Sequence, residues 1–597
     1  MRRSATIRYG AGRLAVLGGA LAAAWAAVTV LSGGFSIHAG TAAISSRDPI
    51  RPLLLAIGLG ALARALLQGA EFRLALRSLT GDRDRLPARI SVAAAVAVAI
   101  ASIAWNTRAV GGSDSSCYVL QAGAFARGEL TLTEPLSRLL PDSTSAMFAP
   151  AGFVPSRITP FAAVPICAPG LALIMAAVSF AWRDAVFLVV PVFAALAVWT
   201  TFLVGRRLDD AVTGATAAVL LATSPIFLYQ SVQPMSDVPA AALWLAAVAL
   251  LSGSSRGARP SGRAMAHQDW HQFAAGLCAS AAVLIRPNIA LVVLPLLALL
   301  PDLRGWLRFG LAAFPCLAAL AWLNAARYGS PVTSGYGSTD VLFSLVHVGP
   351  NLARYARWVL ETETLFIAAA AFAPWWAWRH RRSSGRLVTV LVCAAVLTVA
   401  TYLAYTVFDD WWYIRFLLPA LPVLLILSVA VWLELARRHP RGRAALAIAI
   451  ATALGGWHVH VARTHRVFDL PALESRFVVT GKYAARALPV NAVALAVQQS
   501  GSLRYYSGRS TLAWDAIPPD ALDRTIEALR RASRPVFIVL EDEEASRFRA
   551  RFVTQRLGRL DWPPRADVHA SVRVYVYDAA ERERYLGGGV VSTEHVR

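Results

Sequence analysis

Residues 88–118 read ARISVAAAVAVAIASIAWNTRAVGGSDSSCY. After Arg89 the stretch is almost all alanine, valine and isoleucine, with no charge before Arg108. A bilayer core of about 30 Å takes about 20 such residues as a helix, so residues 88–106 read as a membrane span. The character then changes within a few positions. Asp114 stands among glycine and serine, a turn or so beyond the span. A carboxylate at the hydrocarbon boundary is costly unless it is solvated, paired or used. Two questions follow: how many such spans the chain has, and which side Asp114 faces.

The composition answers for the chain as a whole. Mean hydropathy is +0.51 and 56% of residues are hydrophobic, too apolar for a soluble core. The length rule places about thirteen spans, near 13–35, 52–69, 88–106, 185–205, 211–229, 238–252, 272–286, 289–301, 309–326, 359–378, 387–408, 416–435 and 442–462. The N-terminal run is too long for a signal peptide and lacks a small-residue cleavage site, so it reads as an uncleaved first span. The net charge of +22 is carried mainly by arginines in the connectors. EFRLALRSLTGDRDRLPAR, GRRLDD, SGSSRGARPSGR, DLRGWLR, RHRRSSGR and ARRHPRGR fall on one side with the N-terminus, which the positive-inside rule makes the cytoplasm. Arginines scattered in this way argue against a nucleic-acid partner, which needs them gathered on one module.

Two segments qualify the count. GLALIMAAVSFAW, Gly170 to Trp182, is short for a span and reads as an interfacial or re-entrant helix on the outer side. The pair near 272–301 is broken at Arg286-Pro287-Asn288 and reads as two half-spans around a polar break buried in protein. The expected architecture is thus an all-α polytopic membrane protein with a small extracytoplasmic α/β domain. Residues 1–87 hold two extra spans, 88–462 a membrane core with a large outer loop at 107–184, and 463–597 the soluble domain. In the last, AVALAVQQ, LRYYSGR, VFIVLED and VRVYVYDA read as strands, with a helix through DALDRTIEALRRA. Of five cysteines, three lie in apolar spans, while Cys117 and Cys167 share the outer side and are free to pair.

The acids recur at outer helix ends. Asp114 opens the long loop, Asp237 ends the QPMSD turn, Asp409 and Asp410 close the span ending YTVF, and Arg415 opens the next. One of them alone could be a solvated helix end. As a set beside Tyr, Trp and Arg they read as a shared polar site, which Tyr118, Gln233, Tyr336, Asp409, Asp410 and Tyr413 are candidates to line. A carboxylate takes a proton from a hydroxyl nucleophile, and an arginine fork holds a phosphate as charge builds on it. There is no GxxxxGK[ST] loop and no GxGxxG after a strand, which disfavours nucleotide chemistry. A lipid-phosphate sugar needs no nucleotide at an outer site. His458 and His460 in WHVHVARTH are weighed as metal ligands, but spacing of two at a helix end favours plain interfacial histidines. No HExxH exists.

These segments, in order, resemble the GT-C glycosyltransferases, the membrane fold of the protein O-mannosyltransferases and the lipid A aminoarabinose transferases. SDSSCYVLQA resembles the acidic motif opening the first large outer loop. VPICAPGLALIMA resembles the Pro-Gly turn into an outer helix. LLATSPIFLYQSVQPMSDVPAAALWLAA resembles the span-turn-span unit with a second acid. LIRPN, NAARYGSPVTSGYG and YTVFDDWWYIRFLLPALPVLL resemble the later segments, so the likeness covers about residues 88–436. It implies a polyprenyl-phosphate sugar as donor, transfer on the outer face and inversion at the anomeric carbon. It makes Asp114 the general base, Asp237 the residue organising acceptor or metal, Arg415 the donor-phosphate ligand and Arg286 a second, weaker one. Ser115 stands where many members carry another acid. No metal ligand is therefore assigned, and a divalent ion stays open as the only cofactor.

The function expected is an inverting hexosyl or pentosyl transferase in a bacterial inner membrane, multi-pass, with N-terminus cytoplasmic and C-terminal domain outside. Its partners are the lipid donor, membrane lipid and an acceptor glycan, lipid or protein. The alternatives are a transporter or flippase of a lipid-linked or anionic solute, suggested by the broken hairpin, and an inactive scaffold of the same fold.

Overall fold

The structure is a computed structural model of the chain. It describes residues 85–596, apart from 141–143, 254–261, 338–341 and 380–383, together with parts of 11–67. The expected first span and the basic connectors at 71–84, 254–261 and 380–383 fall wholly or partly outside the described residues.

Among the described residues five helices are long and apolar enough to cross a membrane, or seven if each of two bent pairs is one span. The expected count of about thirteen is not confirmed; among the described residues several apolar runs fold as short or broken helices. Helix α1 (Ile50–Leu66) packs Ala63 and Leu67 on Ala15 and Val16. Helix α2 (Leu86–Ala104) carries Pro87 in its first turn, which its fixed φ suits, and leaves most of its surface unburied by protein. Helix α3 (Gly112–Ala126) and helix α4 (Pro169–Ser179) belong to the long loop and pack together. The 170–182 segment is thus a short helix of 11 residues rather than a span.

Helix α5 (Val189–Leu208) is the most enclosed of the long helices. It meets helix α6 (Ala211–Thr223) where a Cβ on Gly205 would lie 2.7 Å from the Gly214 Cα, so the small residues set the close crossing. Helix α7 (Pro225–Ser231) leaves α6 at 63°, the bend falling at Ser224 before Pro225, because a residue ahead of proline avoids the α conformation. Helix α8 (Asp237–Ser252) is short and almost entirely buried, with Trp244 donating to the Val292 carbonyl at 3.2 Å. The same pre-proline rule stops helix α9 (Gly262–Ile285) at Arg286, which is extended. Short helical turns from Pro287 to Leu299 follow; at the break Arg286 is partly buried, but Pro287 and Asn288 are exposed, so the break is not packed inside protein as expected.

Helix α10 (Leu303–Tyr328) is capped by Asp302 and closed by Gly329 at φ +83°. The apolar run at 359–378 is not one span. Helix α11 (Val348–Glu363) ends at Thr364, which has φ +60°, and a 3-10 segment Leu365–Phe372 continues it. Helix α12 (Gly385–Leu403) leads to a 3-10 turn, Trp411–Leu417, set at 80° to helix α13 (Leu421–Glu434). Helix α14 (Pro440–Thr464) is the last of the long apolar helices.

The loop after α3 forms a small sheet in which strand β3 (Ala162–Pro165) lies between β1 (Leu132–Thr133) and β2 (Phe153–Pro155). The soluble part is a six-stranded mixed sheet. Its strands are β4 (Val493–Leu495), β5 (Ser510–Leu512), β6 (Val536–Glu541), β7 (Ala566–His569), β8 (Arg573–Asp578) and β9 (Glu594–Val596), in the order β9-β7-β8-β6-β4-β5. Strands β4, β5 and β6 are parallel, with Leu495 level with Leu512 and Ile538. Helix α15 (Ser475–Ala487) precedes the sheet, and helix α16 (Leu522–Arg531) buries Leu522, Ile526 and Leu529 at helical spacing. Helix α17 (Asp542–Arg551) carries a capping box of Glu541 and Glu544.

LRYYSGR is not a strand. Leu503–Ser507 form a helical turn that Gly508 closes at φ +68°. Its side chains dock on the long loop instead of lying in a sheet. Arg504 pairs with Glu134 at 2.9 Å, and Tyr505 donates to Asp184 at 3.0 Å. The loop in turn completes the soluble core: Leu136, Leu140, Met147 and Phe148 pack among residues of β4, β5, β6 and α16.

Candidate functional site

Two of the span-end acids, with Arg286 and Arg415, meet in one cavity of about 250 Å³ between the loop helices and the membrane helices. Asp114, Tyr118, Asp237, Arg286, Tyr336 and Arg415 all line it. Asp114 sits in the first turn of α3, where the exposed backbone N–H groups favour a negative charge. The small residues around it allow close packing from two sides. A Cβ on Gly152 would lie 2.2 Å from the Ser113 carbonyl, and a Cβ on Gly111 would strike the Phe477 ring of the soluble part. Cys117 and Cys167 form a disulfide that ties α3 to the start of α4.

Arg415 donates from Nη2 to Asp114 Oδ2 at 2.8 Å. The 80° bend before α13 is what turns this arginine over the cavity. Its Nε is buried and has no hydrogen-bond partner among the described residues. Its guanidinium carbon lies 5.3 Å from the ring centres of Tyr413 and of Phe416. Deeper in the wall, Arg286 pairs with Asp237 and donates from Nε to the Tyr402 hydroxyl at 3.1 Å. Tyr118 donates to Ser236 at 2.8 Å, next to Asp237. Burial raises the Tyr118 phenol above its ordinary range, with the Asp114 charge adding to it, and burial beside Asp114 does the same for Tyr336. Both phenols therefore stay protonated; the Tyr118 O–H is taken by Ser236, and that of Tyr336 faces the cavity.

The other expected lining residues stand elsewhere. Gln233 donates to the Tyr229 carbonyl at 2.9 Å, and Asp409 pairs with Arg354 at 2.5 Å in the open. Asp410 is exposed, and the Tyr413 ring stacks on Phe408 at 3.9 Å. None of these four lines the cavity. Asp409 and Asp410 stand near Arg415 in sequence, but the bend sends the FDDW corner outward and Arg415 inward. Tyr402, Tyr405, Asn288 and Phe343 line the cavity and went unread. Tyr402 and Tyr405 were absorbed in an apolar span, and only their spacing from Arg415 across the turn could have marked them.

His458 is not interfacial. It is fully buried in α14, with Nε2 3.0 Å from Glu363 Oε2 and Nδ1 3.1 Å from the Thr223 hydroxyl. Nor does the cavity suit a resident metal ion. Its two carboxylates are each neutralised by an arginine. Among the described residues, one group of three His, Cys, Asp or Glu comes within ligating distance, and it lies in the soluble sheet at Asp567, His569 and His595. No step below passes through a metal.

A profile of the family described as oligosaccharyl transferase STT3, N-terminal, matches residues 160–251. No curated protein matches the sequence. Among solved structures, ArnT from Cupriavidus metallidurans bound to undecaprenyl phosphate is similar at TM-score 0.52 and 13% identity, over 82% of this chain and 97% of that one. The apo state of the same protein gives 0.50 and 14%, over 83% and 98%. The oligosaccharyltransferase of Archaeoglobus fulgidus in complex with zinc and sulfate gives 0.48 and 12%, over 77% and 69%. The chain is a multi-pass membrane protein with the GT-C fold that ArnT also has.

Proposed function

We propose that this protein is an inverting glycosyltransferase that moves a hexosyl or pentosyl group from a polyprenyl-phosphate donor to an acceptor hydroxyl on the outer face of the membrane. The observation that carries the reading is the contact of Asp114 with Arg415 in a cavity at the membrane-loop junction. It combines a base and a phosphate-binding group within one hydrogen bond of each other. The similar ArnT structure holds undecaprenyl phosphate, which supports a lipid phosphate as the group that Arg415 meets.

The chemistry follows from this pairing. The lipid tail stays in the bilayer and its phosphate reaches Arg415, whose unpartnered Nε offers a further N–H. Arg415 donates to one oxygen of the Asp114 carboxylate and leaves the other for an acceptor hydroxyl. An acceptor hydroxyl, hydrogen-bonded to Asp114, attacks the anomeric carbon while positive charge builds on the sugar ring. The bond from that carbon to the phosphate oxygen breaks and its electron pair leaves with the phosphate. Asp114 takes the hydroxyl proton, and Arg415 stabilises the departing charge. Tyr336 supplies an O–H donor for sugar or phosphate oxygens, while Tyr118 donates to Ser236 and holds the wall beside Asp237. Ile166, Cys167 and Ala168 of the long loop line one side of the cavity and limit water, which favours transfer over hydrolysis.

The donor and the reaction are tested together. Purified protein in lipid is incubated with radiolabelled polyprenyl-phosphate sugars and a cell-envelope extract, with Asp114→Asn alongside. Release of polyprenyl phosphate that depends on Asp114 supports the assignment and names the sugar. Solute uptake by proteoliposomes with no sugar transfer would replace it with a transporter.

A further inference from the structure

The sheet of the soluble part carries a second constellation, unrelated to the cavity. Asp567 and His569 are two residues apart on β7, so both point to one face of the sheet. His595 on the parallel strand β9 is level with Asp567 and shares that face. His569 Nε2 is 3.0 Å and His595 Nδ1 is 3.8 Å from Asp567 Oδ2, and the three ligand atoms lie within 4.8 Å of one another. Two ligands held tetrahedrally at zinc–nitrogen and zinc–oxygen lengths stand about 3.3 Å apart, between the two distances seen. Asp567 is only 5% exposed, yet its Oδ1 has no hydrogen-bond partner among the described residues. All the described partners of this buried carboxylate gather at Oδ2, and a cation held there between the two imidazoles would balance the charge that the bare Oδ1 leaves uncompensated.

We infer that Asp567, His569 and His595 form a binding site for a divalent transition-metal ion of the zinc type. Two imidazoles and one carboxylate suit such an ion better than magnesium or calcium, which prefer all-oxygen sets. Arg573 now donates to Asp567 Oδ2 at 2.7 Å and competes for it. Its side chain is 49% exposed and free to swing into solvent when an ion arrives. The site bridges β7 and β9, which are otherwise joined by a ladder of three residue pairs. The ion therefore fastens the edge strand of the sheet and leaves an open coordination position facing outward.

The test uses the full-length, tag-free protein in detergent, stripped with a chelator and titrated with Co²⁺ while its visible d–d absorption is followed. One equivalent is expected, competed off by Zn²⁺. His569→Ala and His595→Ala, both at partly exposed positions that should not disturb folding, each weaken binding about tenfold or more. Arg573→Ala tightens it, because the competing cation is gone. Hydrogen exchange at residues 594–596 slows when Zn²⁺ is added. Asp114→Asn, which keeps the fold, leaves the titration unchanged. No uptake, uptake that both histidine variants keep (an adventitious ion only), or uptake abolished by Asp114→Asn overturns the site.

Discussion

Two arginine–aspartate pairs stand in the same cavity and differ in how far they are closed. Asp237 and Arg286 are 3% and 12% exposed, and Tyr402 takes a further N–H of the arginine. Asp114 and Arg415 are 31% and 13% exposed, and Arg415 keeps a buried Nε without a partner. The first pair spends its hydrogen bonds inside the protein, at a helix break, and so holds the cavity wall in shape. The second leaves a carboxylate edge and an N–H available to something else. Equal sequence signals, an acid and an arginine at helix ends, thus give one closed pair and one open pair, and under the proposed function only the open one does chemistry.

Asp114→Asn gives the largest expected effect. Loss of the base should cut polyprenyl-phosphate release by about 10²–10⁴-fold, while donor binding and the unfolding temperature stay close to those of the parent. An Asn variant with near-parent turnover would erase the distinction between the pairs. Arg286→Ala should act on folding instead. It strands a buried carboxylate, and breaking such a pair costs about 3–5 kcal/mol, measured by thermal unfolding in detergent. Arg415→Met should unfold at a clearly higher temperature than Arg286→Ala, since Asp114 reaches solvent, and should show its loss in donor KM and kcat. If both arginine variants destabilise alike, the open pair is structural too.

A third effect concerns how the open pair is held. Removing the Cys117–Cys167 disulfide with Cys117→Ser and Cys167→Ser together should cost about 2–4 kcal/mol. It should also lower turnover, because Asp114 lies one turn from Cys117. The smallest effect comes from a control pair outside the membrane. Arg582 donates two bonds of 2.7 Å to Asp561 and holds its carboxyl below the ordinary carboxylate range. That contribution is present above the ordinary range and is lost as pH falls through the depressed value. For a pair this near the surface it amounts to about 1 kcal/mol or less. Arg582→Leu should flatten the acid limb of the unfolding curve by that much and leave transfer untouched.

Much of the site was legible because charge at a span end is rare and costly. Asp114, Asp237, Arg286 and Arg415 all stand out against apolar neighbours, and all four line the cavity. Asp409 and Asp410 carried the same signal and point elsewhere, since sequence does not show which way a turn folds. The uncharged lining residues, Tyr402 and Asn288 among them, gave no comparable signal. In the soluble part the helix at 522–531 and the strand at 536–541 were visible from periodicity. LRYYS was not, because its alternation of bulky residues serves docking against Glu134 and Asp184 and not a sheet face.

From the sequence by itself come the membrane character, the break at Arg286, the α/β nature of residues 463–597 and the set of charged residues at span ends. These rest on local rules: hydrophobic length, the constraint before proline, and the price of a charge near lipid. Only the tertiary structure decided which acid meets which arginine, that Cys117 joins Cys167, and that the long loop completes the soluble core through Leu136, Met147 and Phe148. It also brought Asp567, His569 and His595 to one face. Such pairings depend on helix bends and strand register, set by packing between segments up to several hundred residues apart, and no local pattern records them.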